Sequence, residues 1–185
     1  MGAWRCRCGL VAGTLDLGGA VHLVCYCKDC RRFAELMGAG AHVLDRAGGT
    51  ALVQARVDAL SLAAGHGSLR AMHLTDRPSL RWYAGCCDTP LFNTYAHGRV
   101  PYLSVVAANL DGEARRRLGP PGFALSTQSA TGVPLARQRG AIRAVSGIVG
   151  RMIRDVGSGA RHRSPLFAGP CLLPIMPVRR HARGS

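Results

Sequence analysis

Short apolar runs separated by glycine-rich turns fill the first hundred residues. Val21-His22-Leu23-Val24 reads as a strand that feeds directly into a cysteine cluster. Arg32 to Met37 reads as a short helix or turn, closed by Gly38 and Gly40. Thr50 to Val57 and Ala59 to Ala64 alternate well enough for two strands parted near Asp58. Ala71 to Leu74 makes another, stopped by Asp76-Arg77-Pro78, and Ser79 to Tyr83 follows. Tyr102 to Ala107 is β-branched enough for one more. This spacing predicts a mainly β, mostly antiparallel domain over residues 1–110.

The pattern changes after Leu110. Glu113 to Leu118 predicts a short helix, ended by Gly119-Pro120-Pro121-Gly122. In residues 141–156 the apolar positions Ile142, Val145, Ile148, Val149, Met152, Ile153 and Val156 fall on one helical face. Arg143, Arg151 and Arg154 are left for the other. Residues 111–185 therefore read as a basic C-terminal extension with an amphipathic helix near 141–156. Val178 to Ser185 is expected to fray.

Composition sharpens this picture at three points. The 185 residues suit one domain with an appendage, and 48% hydrophobic content is ordinary for a globular chain. No apolar run approaches the roughly 18 residues of a membrane span, and Met1 to Cys8 lack a secretory pattern. The expectation is therefore a cytoplasmic protein with no membrane association. The net charge of +14 invites a nucleic-acid reading. However, only Lys28 among the 24 basic residues is a lysine, a bias that genome composition explains equally well. Residues 1–110 carry 11 basic and 7 acidic side chains, net +4, whereas residues 111–185 carry 13 and 3, net +10. Any nucleic-acid contact is expected to be weak, non-specific and confined to the extension.

The chemistry lies in the eight cysteines. Cys6-Arg7-Cys8-Gly9 and Cys25-Tyr26-Cys27-Lys28-Asp29-Cys30 place five of them in two tight clusters, and Cys86-Cys87 adds a third. Thiols at Cys-x-Cys and Cys-x-x-Cys spacing sit on one side of a turn, within reach of a tetrahedral metal such as Zn²⁺. Buried inert cysteines are the plain alternative, but chance rarely produces such spacing. Cys25, Cys27 and Cys30, with no local fourth ligand, match an open catalytic zinc site. Cys6 and Cys8 need partners elsewhere, and Cys86/Cys87 is the natural supply. Cys171 reads as a packing residue. The seven histidines, His22, His42, His66, His73, His97, His162 and His181, form no ligand pair at helical spacing. Arg31 and Arg32 are candidates for holding a substrate carboxylate.

These motifs resemble the glutathione-dependent formaldehyde-activating enzyme family. That family carries Cys-x-Cys-Gly, then Cys-x-Cys-x-x-Cys-Arg, then Arg-x-Phe-Cys-x-x-Cys-Gly-x-x-Leu. The matching segments are Cys6 to Gly9, Cys25 to Arg31, and Arg81-Trp82-Tyr83-Ala84-Gly85-Cys86-Cys87-Asp88-Thr89-Pro90-Leu91. The likeness covers about residues 4 to 107. It implies a β-tent of small antiparallel sheets around cysteine-bound zinc, here with a C-terminal helical extension. It also implies a structural zinc on Cys-x-Cys and the late Cys-x-x-Cys, and a catalytic zinc on Cys25, Cys27 and Cys30. The implied activity is that of a carbon–sulfur lyase acting on a thiol–carbonyl adduct, with glutathione as co-substrate. The third motif departs from the pattern. Cys87 aligns with its last cysteine, but Ala84 stands at the first and Asp88 replaces a glycine. Cys86, Asp88, His97 or a water are the candidates for the missing ligand. Neighbouring residues of an extended strand face opposite ways, so Cys86 and Cys87 can share one ion only across a turn. The alternative to a lyase is a non-enzymatic zinc-binding interaction module with a basic tail.

Overall fold

The computed structural model describes residues 1–132 and 141–180, with the side chains of 141–143 left aside. Of the stretch expected to fray, Val178 to Ser185, residues 181–185 fall outside those described, His181 among them, while Val178–Arg180 do not fray but pair as a strand.

The chain opens with β1 (Gly2–Arg5), β2 (Ala12–Leu15) and β3 (Val21–Cys25), then α1 (Lys28–Leu36) and α2 (Gly40–Val43). β4 (Thr50–Ala55), β5 (Leu60–Ala64), β6 (Leu69–His73), β7 (Ser79–Ala84), β8 (Thr89–Tyr95) and β9 (Leu103–Val106) follow. The extension contributes α3 (Gly112–Leu118), β10 (Phe123–Leu125), α4 (Ala141–Gly157), β11 (Phe167–Ala168), β12 (Leu173–Pro174) and β13 (Val178–Arg180). The fold is mainly β with a C-terminal helix, as the pattern predicts.

The strands form an eight-stranded sheet, ordered β10-β3-β4-β9-β8-β7-β6-β13, and a three-stranded sheet, β1-β2-β5. Inside the large sheet every pairing is antiparallel. Its two outermost pairings are parallel, β10 on β3 and β13 on β6. Both outer strands come from the extension, which therefore adds to the sheet at each edge. Parallel pairing needs a long crossover rather than a hairpin, so local sequence pattern gives no sign of it.

The main core lies between the two sheets. Trp4, Val11 and Leu15 of the small sheet region meet Val53, Leu80, Trp82, Phe92 and Val105 of the large one. Trp4 packs edge-on against Phe92, with ring centroids 4.9 Å apart, a favoured aromatic geometry. The opposite face of the large sheet carries a second core. There Leu23, Leu52 and Val106 pack against Ala34 of α1, Val43 of α2 and Ile148 of α4. Alternation along β4 serves both cores, because Leu52 and Val53 point to opposite faces.

α4 docks through a different face from the one its apolar spacing predicts. Ile148 is buried and Met152 half-buried, but Val145, Val149, Ile153 and Val156 are exposed, Ile153 by 69%. The reason is polar. Asp155 is 1% exposed and pairs with Arg56 at 3.3 Å. Arg151, expected on the solvent face, reaches the carbonyls of Gly19 and Gln54. Arg163 adds an ion pair to Asp58 at 2.6 Å. These bonds turn the helix so that polar groups needing partners face the sheet.

One glycine fixes the spacing of the small sheet. A Cβ on Gly13 would lie 2.0 Å from the carbonyl oxygen of Ser61 on β5 and 2.7 Å from the Trp4 ring. Neither backbone nor buried indole can yield. Gly13→Ala is therefore expected to cost about 1–3 kcal/mol, read as a lowered thermal midpoint. A midpoint within a degree of the parent would show that β2 and β5 have slack.

Candidate metal centres

The first centre is built by two turns on different sheets. Leaving β1, the chain folds back through Cys6 to Gly9, where the Gly9 amide donates to the Cys6 carbonyl at 3.0 Å. Gly9 has φ +81°, a region glycine enters freely. The Val11 amide donates to Cys6 Sγ at 3.3 Å. The facing turn joins β7 to β8 through residues 85–88. Asp88 there has φ +49°, the left-handed region in which aspartate is one of the tolerated residues. This tight turn brings Cys86 and Cys87 to the same side, which an extended strand forbids. The sulfurs lie close: Cys6–Cys8 3.5 Å, Cys6–Cys86 3.9 Å, Cys8–Cys86 3.3 Å and Cys86–Cys87 3.8 Å. All four sulfurs fall within 4.8 Å of one another, and the group could hold a metal ion. Asp88 and His97, the other candidates, are not in it. Arg7 ties the turns together, donating from Nη2 to the Cys87 carbonyl at 2.6 Å and from its amide to Thr89 Oγ1 at 3.1 Å. Burial pushes the Cys6 thiol up. Burial also works against the Cys87 thiolate, but hydrogen bonds from Thr89, Cys8 and Cys6 prevail and bring it down to about 6.

The second centre forms where β3 runs into α1. Cys25 ends the strand, Cys27 caps the helix and Cys30 lies in its first turn. The Cys30 amide donates to Cys27 Sγ at 3.4 Å, so a thiol does what a Ser or Asp does at other N-caps. The helix starts inside the cysteine run, four residues before the pattern predicts. The three sulfurs lie within 4.8 Å of one another and could hold a metal ion; among the described residues no fourth His, Cys, Asp or Glu joins them. Hydrogen bonds from Cys25 and Cys30 hold Cys27 far down, as the thiolate. The same bonds, with burial, push Cys25 up.

This centre carries a cation that spacing did not reveal. Arg81, on β7, is 6% exposed. Its Nη1 donates to Asn93 Oδ1 at 2.7 Å and lies 3.6 Å from Cys30 Sγ. The signals in the sequence are its place as the first residue of the third motif and an arginine amid an apolar strand, Ser79-Leu80-Arg81-Trp82-Tyr83-Ala84. A cleft of about 360 Å³ opens above the three cysteines, with Arg77, Arg81 and Tyr102 among its walls. Burial pushes Tyr102 up to about 12, so its hydroxyl stays a donor through the neutral range. A larger cleft, about 640 Å³, lies beside Cys6. It meets one sulfur only, so the smaller cleft is the one with chemistry at its floor.

Several expected residues sit elsewhere. Arg31 sends Nη2 to the Ser129 carbonyl at 2.5 Å and Arg32 is exposed; neither lines the 360 Å³ cleft. The cations that do are Arg77 and Arg81. Cys171 is exposed rather than packed. Of the described histidines none joins either cysteine group; His22, His42 and His73 bond to Gly119, Asn109 and Ser79. No helix among the described residues is long and apolar enough to cross a membrane.

The chain matches the model described as "Family of unknown function (DUF6151)" over residues 2–171, and it belongs to that family. No curated protein matches it. A crystal structure of a Rhodobacter sphaeroides protein is similar, with 22% identity and a TM-score of 0.48, over 66% of this chain and 99% of that one.

Proposed function

We propose that this member of the family is a two-zinc protein with a structural ion on Cys6, Cys8, Cys86 and Cys87 and a reactive one on Cys25, Cys27 and Cys30. Its reaction is the making or breaking of a carbon–sulfur bond in a thiol–carbonyl adduct. The motif resemblance to formaldehyde-activating enzymes suggested this chemistry. The observation that carries it is the three-sulfur group, with no fourth His, Cys, Asp or Glu among the described residues, set at the floor of a cleft. Structural zinc sites are closed by four protein ligands, whereas catalytic ones keep a position open.

The donor sets fit zinc. Zn–S bonds of about 2.3 Å in a tetrahedron place sulfurs about 3.8 Å apart. The four-cysteine group spans 3.3 to 3.9 Å for the pairs given above. Clustered free thiols also suit a reducing, cytoplasmic setting.

Zinc held by Cys25, Cys27 and Cys30 would supply Lewis acidity, which would favour the deprotonated form of a substrate thiol near neutral pH. The rest falls to the chain. Arg81 places a fixed positive charge beside Cys30, offsetting the charge of the thiolates. Tyr102 offers a protonated hydroxyl to the carbonyl oxygen of the adduct. In the addition direction the thiol S–H bond breaks, an S–C bond forms and the oxygen gains a proton; elimination is the reverse.

The purified protein is expected to contain two zinc ions per chain, and Cys27→Ser only one, by elemental analysis. In the cobalt-substituted protein, adding glutathione or a smaller thiol is expected to change the sulfur-to-cobalt charge-transfer bands. No change with any thiol, with cobalt confirmed at both centres, would favour a structural module whose basic extension meets a partner.

A further inference from the structure

We infer that the thiol accepted by the Cys25/Cys27/Cys30 cleft has an uncharged apolar body, aromatic or branched, rather than the charged body of a peptide thiol. The inference rests on the open-site reading above and adds the class of substrate.

Charge comes first. Three thiolates and one divalent ion leave one negative charge, which Arg81 cancels. A bound substrate thiolate restores one negative charge, and among the described residues lining the cleft the one further cation is Arg77, whose side chain is 76% exposed, so solvent screens it. Arg77, at the rim, is already paired with Asp29 at 3.5 Å. Arg81 is committed to Asn93 and Cys30. Arg31 and Arg32, the obvious carboxylate binders in the sequence, do not line the cleft, and Arg31 is held by the Ser129 carbonyl. A tripeptide thiol such as glutathione brings two carboxylates and an ammonium, and charge carried below the rim with no partner there is costly.

Polarity points the same way. Thr94 Oγ1 already accepts from Trp82 Nε1 at 2.8 Å and donates to the Tyr95 carbonyl at 3.0 Å. Asn93 is taken by Arg81. Asp29, Ser79 and the tyrosine hydroxyls add polar points, but most of the surface left for a ligand body is apolar: Leu23, Leu52, Leu125, Pro78 and the rings of Tyr95 and Tyr102. The two tyrosines meet edge to face, centroids 5.6 Å apart at 81°, and give one rigid aromatic wall. Leu125 enters from β10, opposite Cys25 in the parallel ladder, so the extension itself supplies part of the apolar lining. A cleft of about 360 Å³ is at the small end of ligand sites.

The test uses the full chain loaded with cobalt at both centres, titrated separately with 2-phenylethanethiol, 2-mercaptoethanol and glutathione at matched thiolate concentration. The charge-transfer change is expected to half-saturate at least about tenfold lower for 2-phenylethanethiol than for 2-mercaptoethanol, with glutathione weakest. Leu125→Asn is expected to remove most of that preference while leaving 2-mercaptoethanol unaffected, and Leu125→Met to keep it. Glutathione binding as tightly as 2-phenylethanethiol, or a preference untouched in a folded Leu125→Asn protein, overturns this inference and leaves the open site standing. Silence with all three thiols overturns both.

Discussion

Stripping metal from the four-cysteine centre is expected to unfold the protein. Cys6 and Cys8 hang from the three-stranded sheet, and Cys86 and Cys87 from the eight-stranded one, so an ion held by all four would link the two sheets across the main core. Without an ion, four thiols at 3.3 to 3.9 Å share that space with no more than weak hydrogen bonds. Apparent binding energies of structural zinc, about 10–16 kcal/mol in small zinc modules, match the whole stability of a domain. Chelation followed by circular dichroism is the measurement. Single replacements refine it. Cys8→Ser and Cys87→Ser are expected to lower the thermal midpoint by roughly 10 °C or more, and exposed Cys171→Ser to leave it within a degree or two. A melt that survives verified metal removal would remove zinc from the folding argument. Equal losses at all three positions would show that ligand and bystander have been confused.

The second large effect is expected at Arg81. Its guanidinium is buried, fixed by Asn93 and set beside Cys30. Removing one side of a buried charge pair leaves the other uncompensated. Arg81→Met should weaken metal at Cys25, Cys27 and Cys30 by about 10–100-fold, the usual range for groups that support ligands from behind. The four-cysteine centre should be unaffected. Competition against a chromophoric chelator separates the two ions by affinity. Arg81→Lys should recover only part of the loss, because an ammonium is more strongly hydrated than a guanidinium and loses its charge more readily when buried. Equal weakening at both centres would mean that Arg81 holds up the sheet and nothing more specific.

Much of the fold was legible in local pattern, and the exceptions have physical causes. The strands around Val21, Thr50, Leu60, Ala71, Ser79 and Leu103 carry the alternation that half-buried strands need. β8 is not among the predicted strands; Pro90, Asn93 and Thr94 are residue types poor in strand signal. All three are buried, and their polar atoms find partners only in the folded sheet: Asn93 with Arg81, and Thr94 with Trp82. β10 and β13 are three residues each and pair with strands about a hundred positions away, beyond any window that reads periodicity. The face of α4 was misread because its docking is set by Asp155 and Arg151, which hydropathy assigns to solvent. Among the site residues, the cysteine spacing revealed both groups. It left open whether Cys86 joins Cys87, a matter decided by the turn at Asp88. Arg81, Asn93, Tyr95 and Tyr102 converge only through strand pairing, so no linear motif announces them as a cleft.

The two parallel outer strands also set a timetable. Phe123 pairs with Leu23, and Val178 with Ala71. During vectorial synthesis Cys25, Cys27 and Cys30 leave the ribosome early and together, so their cluster can capture metal while most of the chain is still unmade. The four-cysteine centre must wait for Cys87. The wall that Leu125 gives to the cleft comes later still. Long-range pairing is slow because the intervening loop must close before any contact compensates it. A nascent chain would therefore spend a period with a metal-loaded, thiol-accessible centre but without the finished cleft. On the proposed reading, small thiols of every kind would have access in that interval, and selectivity would be the last property the protein acquires.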